Sequence, residues 1–440
     1  MIFLLIFLFL PRSNASVYEL KLRDAEEQGL NFSNIIKSSK ANQESAQEQA
    51  SAKSTSLWPK LDLKGFYQYN FTLPEFKIGD QVATIFGTPN NFAIGPYLSY
   101  TLFDFNSSRN TYKASSLMAE AKEEDLKNSR LKILRSVREA YIQVQRGLEE
   151  LRLTNETLEL SKAQERDIAN RYKNGAASRL DVVTSERSVL GYEIQFQKRQ
   201  ADLSLRLQDL LSLLGKEDLK DIRKPGPNSL KNVSLVLKFD PIEKSLEEEL
   251  RKQIPPPDEN HPQLKSLDNQ ARSSDLTAST YKSKQLPILQ VYGGVYYTQP
   301  NFPNPIQYWN EFAGVTLSMP LFIGDPTPSQ AAEQKKLAMA TDFQRDQVRT
   351  DLQRDFEKVK IDLESLNEQK ALAEKDVLQS AEVAKLYYSA YKAGKVDLLE
   401  VQNANLQALE AKVSLTRIGT QILGELTLLK SLSGTEHRYE

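Results

Sequence analysis

Among the side chains that usually perform chemistry, this sequence offers carboxylates and little else. The chain has 440 residues and no cysteine, and His261 and His437 are its only histidines. Thiol nucleophiles, disulfides and cysteine or histidine clusters that hold zinc or iron are therefore excluded. The sequence shows neither a recurring metal-ligand spacing nor a glycine-rich phosphate loop. We therefore expect neither an enzyme nor a bound cofactor.

A Tyr-Lys-Xaa-Gly motif occurs twice in the chain, at residues 172–175 and 391–394. Its glycine, Gly175 or Gly394, can adopt the left-handed backbone conformation that ends a helix. A Leu-Phe pair lies upstream of each motif at the same distance. Because no insertion separates these landmarks, the chain is predicted to contain two copies of one structural unit.

Two carboxylates follow the motifs at equivalent positions. Asp181 stands three residues after Ser178, and Glu400 stands three residues after Asp397. This is the N-cap and N3 spacing of a capping box, which starts a helix. Each motif is therefore predicted to be the tight turn of a helical hairpin, and both carboxylates have a structural explanation.

Two proline-free tracts predict the long helices that lead into these turns. These tracts lie between Pro96 and Pro225 and after Pro328. Each predicted helix has about 70 residues, from Phe103 to Tyr172 and from Phe322 to Tyr391, and would extend on the order of 100 Å. Apolar residues recur three and four positions apart, which predicts one buried seam on each helix. The seams are Leu134, Val137, Tyr141, Val144, Leu148, Leu151 and Leu158 in the first tract and Val348, Leu352, Phe356, Val359, Leu363 and Leu366 in the second.

A pair of β-rich segments precedes each hairpin. The first segment alternates polar with apolar residues, and each is about ten residues long, the span of a tilted transmembrane strand. Trp58 and Trp309 lie at segment ends, where a membrane interface favours aromatic side chains. The four predicted strands are Leu61–Phe71, Phe92–Phe103, Ile288–Thr298 and Phe312–Leu321.

The remaining segments complete the expected organisation. Residues 2–10 form an apolar run typical of an export signal. Polar loops, Thr72 to Asn91 and Gln299 to Glu311, join the paired strands, and a short charged helix is expected around Glu243 to Lys252. The expected domains are a signal peptide (1–15), a first repeat (16–215), a connector (216–262), a second repeat (263–434) and a tail (435–440).

Four strands cannot close a barrel within one chain, because a transmembrane sheet leaves no edge unpaired. Three chains would supply twelve strands, an even number within the range of outer-membrane barrels. The 57 basic and 58 acidic side chains are balanced, so no nucleic-acid partner is expected.

Taken together, these features resemble the outer membrane efflux family typified by TolC. The resemblance rests on the export signal, the doubled strand-strand-hairpin unit and the Tyr-Lys-Xaa-Gly tips, which are followed by Leu-Asp-Val at 180–182 and Leu-Glu-Val at 399–401. The His-Pro-Gln-Leu sequence at 261–264 adds to it.

The resemblance implies a mixed α and β membrane protein, a homotrimer in the outer membrane of a diderm bacterium. Its 12-stranded β-barrel would contact outer-membrane lipid and continue into a periplasmic α-helical barrel. As the channel-tunnel of a tripartite efflux or type I secretion system, it would receive substrate from an inner-membrane transporter through a periplasmic adaptor, or membrane fusion, protein.

The resemblance also implies a periplasmic gate. Aligned on the motif glycines, Tyr391 and Asp181 fall where contacts between hairpins hold the closed state. Glu400 and Asn403 fall where rings of acidic side chains constrict the lumen. For Asp181 and Glu400, helix capping remains an equally good explanation.

The chain departs from this gate pattern at two positions. Asn403 replaces an expected aspartate, and Val396 stands where an arginine often makes the closing bonds. Lys395, one residue earlier, is a candidate to replace that arginine.

A periplasmic adaptor, or another long coiled-coil protein, is the alternative to a channel. Such a protein would share the hairpins, but it has no need of strand pairs with aromatic ends. Heat-modifiable electrophoretic migration and detergent-dependent solubility would distinguish a barrel protein from this alternative.

Overall fold

A computed structural model describes residues 18–73, 75–78, 81–85, 88–216, 237–239, 254–299, 306–321 and 326–434. The strands are β1 (Tyr18–Leu20), β2 (Lys60–Tyr69), β3 (Glu75–Ile78), β4 (Gln81–Ile85), β5 (Asn90–Phe103), β6 (Leu237–Phe239), β7 (Ile288–Gln299) and β8 (Tyr308–Ser318). The helices are α1 (Leu22–Phe32), α2 (Asn34–Ser54), α3 (Ser107–Lys173), α4 (Arg179–Leu213), α5 (Pro262–Ser283), α6 (Thr327–Lys392) and α7 (Leu398–Ser433).

The chain divides into two compact units. The strand unit consists of residues 39–126 and 262–348, and the helical unit holds the described parts of residues 1–38, 127–261 and 349–440. The hairpin turns lie in the helical unit.

The core of the strand unit is an antiparallel sheet in the order β2-β5-β7-β8. The four predicted strands are confirmed, with ends shifted by a few residues. Pairing of β5 with β7, which places Leu98 opposite Gly293, joins the strand pairs of both repeats into one sheet. Residues opposite one another share a face, so Leu61, Leu98 and Ala313 lie on the same side of the sheet.

Two strand pairs were not predicted from the sequence. The segment Thr72 to Asn91 is not simply a polar loop, because β3 and β4 pair antiparallel within it. In the helical unit, β1 pairs in parallel with β6, so the connector contributes a strand. Such short strands escape periodicity analysis because they are stabilised by backbone pairing more than by an apolar pattern. The signal segment and the helix expected at Glu243 to Lys252 lie outside the described residues.

Both apolar seams on the long helices are confirmed. Every seam residue of α3 and α6 is buried or half-buried, and Val137, Tyr141 and Val144 are fully enclosed. The Tyr141 hydroxyl donates a hydrogen bond of 2.8 Å to the Leu20 carbonyl, which ties β1 to the middle of α3. No helix among the described residues has both the length and the apolar character needed to cross a membrane.

Helix α3 begins four residues later than predicted. Phe105 and Asn106 take positive φ angles of 49° and 63°, so the backbone there is not helical. The Asp104 carboxylate then accepts a 2.8 Å hydrogen bond from the Ser108 amide and satisfies one of the free donors at the helix start.

His261 is buried where α5 begins, and its burial makes folding sensitive to pH. Burial lowers the pKa of His261, although a hydrogen bond to the Ser431 backbone and the nearby Asp258 oppose this shift. The unfolded chain therefore binds the proton more readily, so this contribution to stability is complete above about pH 6.5 and is lost as the pH falls.

We expect the thermal unfolding midpoint of the detergent-solubilised protein to drop between pH 7.5 and 5.5, and to drop less in His261→Gln. Equal slopes for the two proteins would contradict this assignment.

Candidate functional site at the hairpin tips

Both hairpin turns are closed by glycine in the left-handed conformation, as the motif predicts. Gly175 has a φ of 73° and Gly394 a φ of 71°. The Ala176 amide donates to the Arg171 carbonyl over 2.8 Å, and the Lys395 amide donates in the same way to Ala390 over 3.0 Å. These bonds satisfy carbonyls at the helix ends. Both helices end inside the motif, α3 at Lys173 and α6 at Lys392.

The two tips pack against each other within one chain through an apolar cluster. Its buried members come from both hairpins, and Tyr387, Tyr388 and Val396 pack around them. Val396 thus belongs to the apolar contact between the tips. The buried members are Ile168, Val182, Tyr391, Leu398 and Val401.

Polar bonds across this cluster join α3 to the end of α6. The Tyr388 hydroxyl donates to the Asp167 carboxylate over 2.7 Å. The Arg171 guanidinium donates to the Lys392 carbonyl over 3.1 Å and lies 5.7 Å from the centre of the Tyr391 ring. These contacts between hairpins involve charged groups, which strengthens each bond relative to a neutral pair.

Two amide side chains on α7 extend the contact away from the tip. Gln402 donates to the Thr184 carbonyl of α4, and Asn405 donates to the Gln164 side chain of α3, each over 3.0 Å. The second hairpin is therefore hydrogen-bonded to both helices of the first.

Tyr391 and Asp181, which the sequence suggested as gate residues, are brought together here. Burial raises the pKa of Tyr391, and the negative charge of the nearby Asp181 carboxylate raises it further. Burial and the Asp167 carboxylate likewise raise the pKa of Tyr388. Both phenols therefore stay protonated at neutral pH, and the Tyr388 hydroxyl serves as a hydrogen-bond donor to Asp167.

The two repeats are not equivalent at this site. Tyr391 is 8% exposed, whereas Tyr172, its counterpart in the first motif, is 43% exposed. The first hairpin supplies the charged partners and the second supplies the phenols. Sequence reasoning missed Asp167, Arg171 and Tyr388. Comparison of the two repeats at aligned positions could have found them, because the second repeat has Leu386 and Ala390 where the first has Asp167 and Arg171.

The first capping box is confirmed and the second is wrong. Ser178 accepts a hydrogen bond from the Asp181 amide over 3.1 Å, and the Ser178 amide donates to the Asp181 carboxylate over 2.9 Å. Asp397 is the N-cap of α7, but its side chain makes no capping bond. A box of Asp397 with Glu400 would place two carboxylates side by side, and their repulsion opposes it.

The other proposed gate residues lie on the surface of the second tip. Glu400 and Asn403 are exposed and, at a spacing of three, share one face of α7. Lys395 is exposed in the turn itself. Within the part of the chain that the structure describes, the Glu400 carboxylate has no hydrogen-bond or ion-pair partner, and no group of three or more metal-ligating side chains converges.

Residues 28–216 and 258–435 match the family model described as outer membrane efflux protein. The chain belongs to this family. Outer membrane efflux proteins are channels, so membership of this family favours the channel over the periplasmic adaptor considered above. A comparison with curated protein sequences finds no match.

Solved structures show the same fold in other channel proteins. CusC, whose structures concern transmembrane channel formation, has a TM-score of 0.76 at 15% identity over 97% of this chain and 95% of its own. The outer membrane protein VceC from Vibrio cholerae scores 0.74 at 17% identity, covering 94% and 96%. The outer membrane channel CmeC from Campylobacter jejuni scores 0.72 at 16% identity, covering 94% and 85%. At such identities the similarity is one of fold.

Proposed function

We propose that this outer membrane efflux protein is the channel-tunnel of a tripartite efflux or type I secretion system. Three copies close a 12-stranded barrel in the outer membrane, and their hairpins form a periplasmic tube that meets a membrane fusion adaptor and an inner-membrane transporter. The observation that carries the proposal is the four-stranded sheet, whose edge strands β2 and β8 each have one paired neighbour among the described residues.

The side chains of this sheet support a barrel wall. Leu61, Leu63 and Leu317 lie on one face and are each about 70% exposed, at 72%, 75% and 69%. Asp62 and Lys64 project from the opposite face. An apolar face toward lipid and a polar face toward a lumen is the pattern of transmembrane barrels, and joining the open edges to neighbouring copies removes the unpaired backbone groups.

The first hairpin also carries a surface suited to self-association. An apolar stripe on α4 recurs at heptad-like spacing and remains exposed in the single chain. A neighbouring hairpin packed on this stripe would bury it. The stripe consists of Leu180, Val183, Leu190, Ile194 and Leu205.

For the gate, we assign the two tyrosine–carboxylate contacts to the closed state. Tyr388 with Asp167 and Tyr391 with Asp181 hold the second hairpin against the first, so outward movement of the tips must break the first contact and separate the second pair. Glu400, exposed on α7, supplies charge to the constriction.

The mass of the detergent-solubilised complex tests assembly. We expect three copies per particle by native mass spectrometry, and a resistant oligomer in unheated electrophoresis samples that dissociates on boiling. A folded monomer as the only species would contradict the tunnel.

Cysteine labelling tests the orientation, and the native chain has no cysteine to interfere. With an impermeant maleimide on intact cells, we expect Thr72→Cys in the loop after β2 to be labelled and Asn174→Cys at the first tip to be protected. Both should react equally after the outer membrane is permeabilised. Labelling of Asn174→Cys in intact cells would reverse the proposed orientation.

A further inference from the structure

A cleft of about 640 Å³ lies in the helical unit, apart from the hairpin tips. It is lined by side chains of α3, α4 and α7, and Glu150 is among them. Glu150 is 1% exposed. Burying a carboxylate this deeply costs free energy unless close cationic partners bind it.

Three arginines surround this one carboxylate. Arg146 Nε donates to Glu150 Oε1 over 2.8 Å, and Arg199 Nη1 donates to Oε2 over 3.1 Å. Arg206 lies 3.7 Å from the same Oε2 and donates to the Gln143 carbonyl over 3.1 Å. One carboxylate balances one guanidinium, so positive charge is left over beside the cleft.

The rim of the cleft adds to this excess. Lys198 on α4 and Arg417 on α7 line it and are exposed. Neither forms an ion pair within the described residues. The second carboxylate in the lining is Glu410, which is also exposed. Cationic side chains therefore outnumber carboxylates around a concave, half-enclosed space, which concentrates anions.

We propose that this cleft binds a small soluble oxyanion with a phosphate or carboxylate group. Glu150 holds the guanidiniums of Arg146 and Arg199 in fixed orientations, and their remaining N–H donors match the geometry of such an oxyanion. Lys198 and Arg417 complete the site from the rim. A purely structural cross-link between α3 and α4 would account for the bonds of Glu150 but not for the two rim cations.

Titration of inorganic phosphate into the detergent-solubilised full-length protein tests the site. Ionic strength is held constant with chloride, and heat is measured by calorimetry. We expect saturable binding that weakens about tenfold or more in the double variant Lys198→Gln/Arg417→Gln, because charge-assisted hydrogen bonds are lost. This variant leaves every bond to Glu150 in place, so the fold should be retained.

Arg152→Gln is the matched control. Arg152 lies on α3 close to Glu150 in sequence, but it is exposed and pairs with Glu149 and Glu156. Its loss should leave phosphate binding unchanged. The proposal is overturned if phosphate shows no saturable binding, if the double variant binds like the wild type, or if the control weakens binding equally. Absence of phosphate binding, together with fewer copies per complex in the double variant, would show that an acidic side chain of a neighbouring copy occupies the cleft instead.

Discussion

Removing the hydroxyls of Tyr388 and Tyr391 together should leave the channel open much of the time. The Tyr388 hydroxyl donates to the Asp167 carboxylate of the first hairpin, and a hydrogen bond to a charged group contributes about 1.5–3 kcal/mol. The buried Tyr391 phenol lies near the Asp181 carboxylate of the same hairpin. Loss of the one Tyr388 bond in each protomer is therefore enough to shift the closed-to-open equilibrium by at least about tenfold.

Single-channel recording in planar bilayers measures this shift as higher conductance and longer openings of Tyr388→Phe/Tyr391→Phe. Tyr172→Phe is the matched control, because Tyr172 occupies the equivalent position of the first motif and is 43% exposed, against 8% for Tyr391. It should behave like the wild type. If the double variant keeps its native mass and conducts like the wild type, these contacts do not hold the gate.

Replacing Glu400 with glutamine should reduce the cation selectivity of the channel. Three symmetry-related carboxylates around one axis would attract cations and repel anions, an effect that salt screens over about 10 Å at 0.1 M. Since the capping box of Asp397 with Glu400 does not form, the substitution should cost little stability. The charge of Glu400 is therefore not needed for this capping box and can act in conduction.

Reversal potentials measured under a salt gradient at low ionic strength, together with block by multivalent cations from the periplasmic side, test this expectation. The cation selectivity and the block by multivalent cations should both weaken in Glu400→Gln. Glu368→Gln, which removes an exposed carboxylate from α6 away from the tip, should change neither. If Glu400→Gln behaves like this control, the constriction lies elsewhere, and Asn403 and Lys395 are the next positions to test.

Sequence alone determined the features of this protein that depend on neighbours along the chain. The heptad-like seams of α3 and α6, the glycine turns and the box of Ser178 with Asp181 were all predicted, because helix periodicity and capping involve residues a few positions apart. The four principal strands were predicted for the same reason, from alternation and length.

Tertiary structure decided which of two equivalent residues acquires a role. The two motifs are nearly identical in sequence, yet Tyr391 is buried against Asp181 while Tyr172 remains exposed. The partners of Tyr391 and Tyr388 come from the other hairpin, more than 200 residues away along the chain. Pairing of β5 with β7 and of β1 with β6 is equally remote. Contacts of this kind leave no periodic pattern in one sequence, because they depend on which surfaces the folded chain brings together.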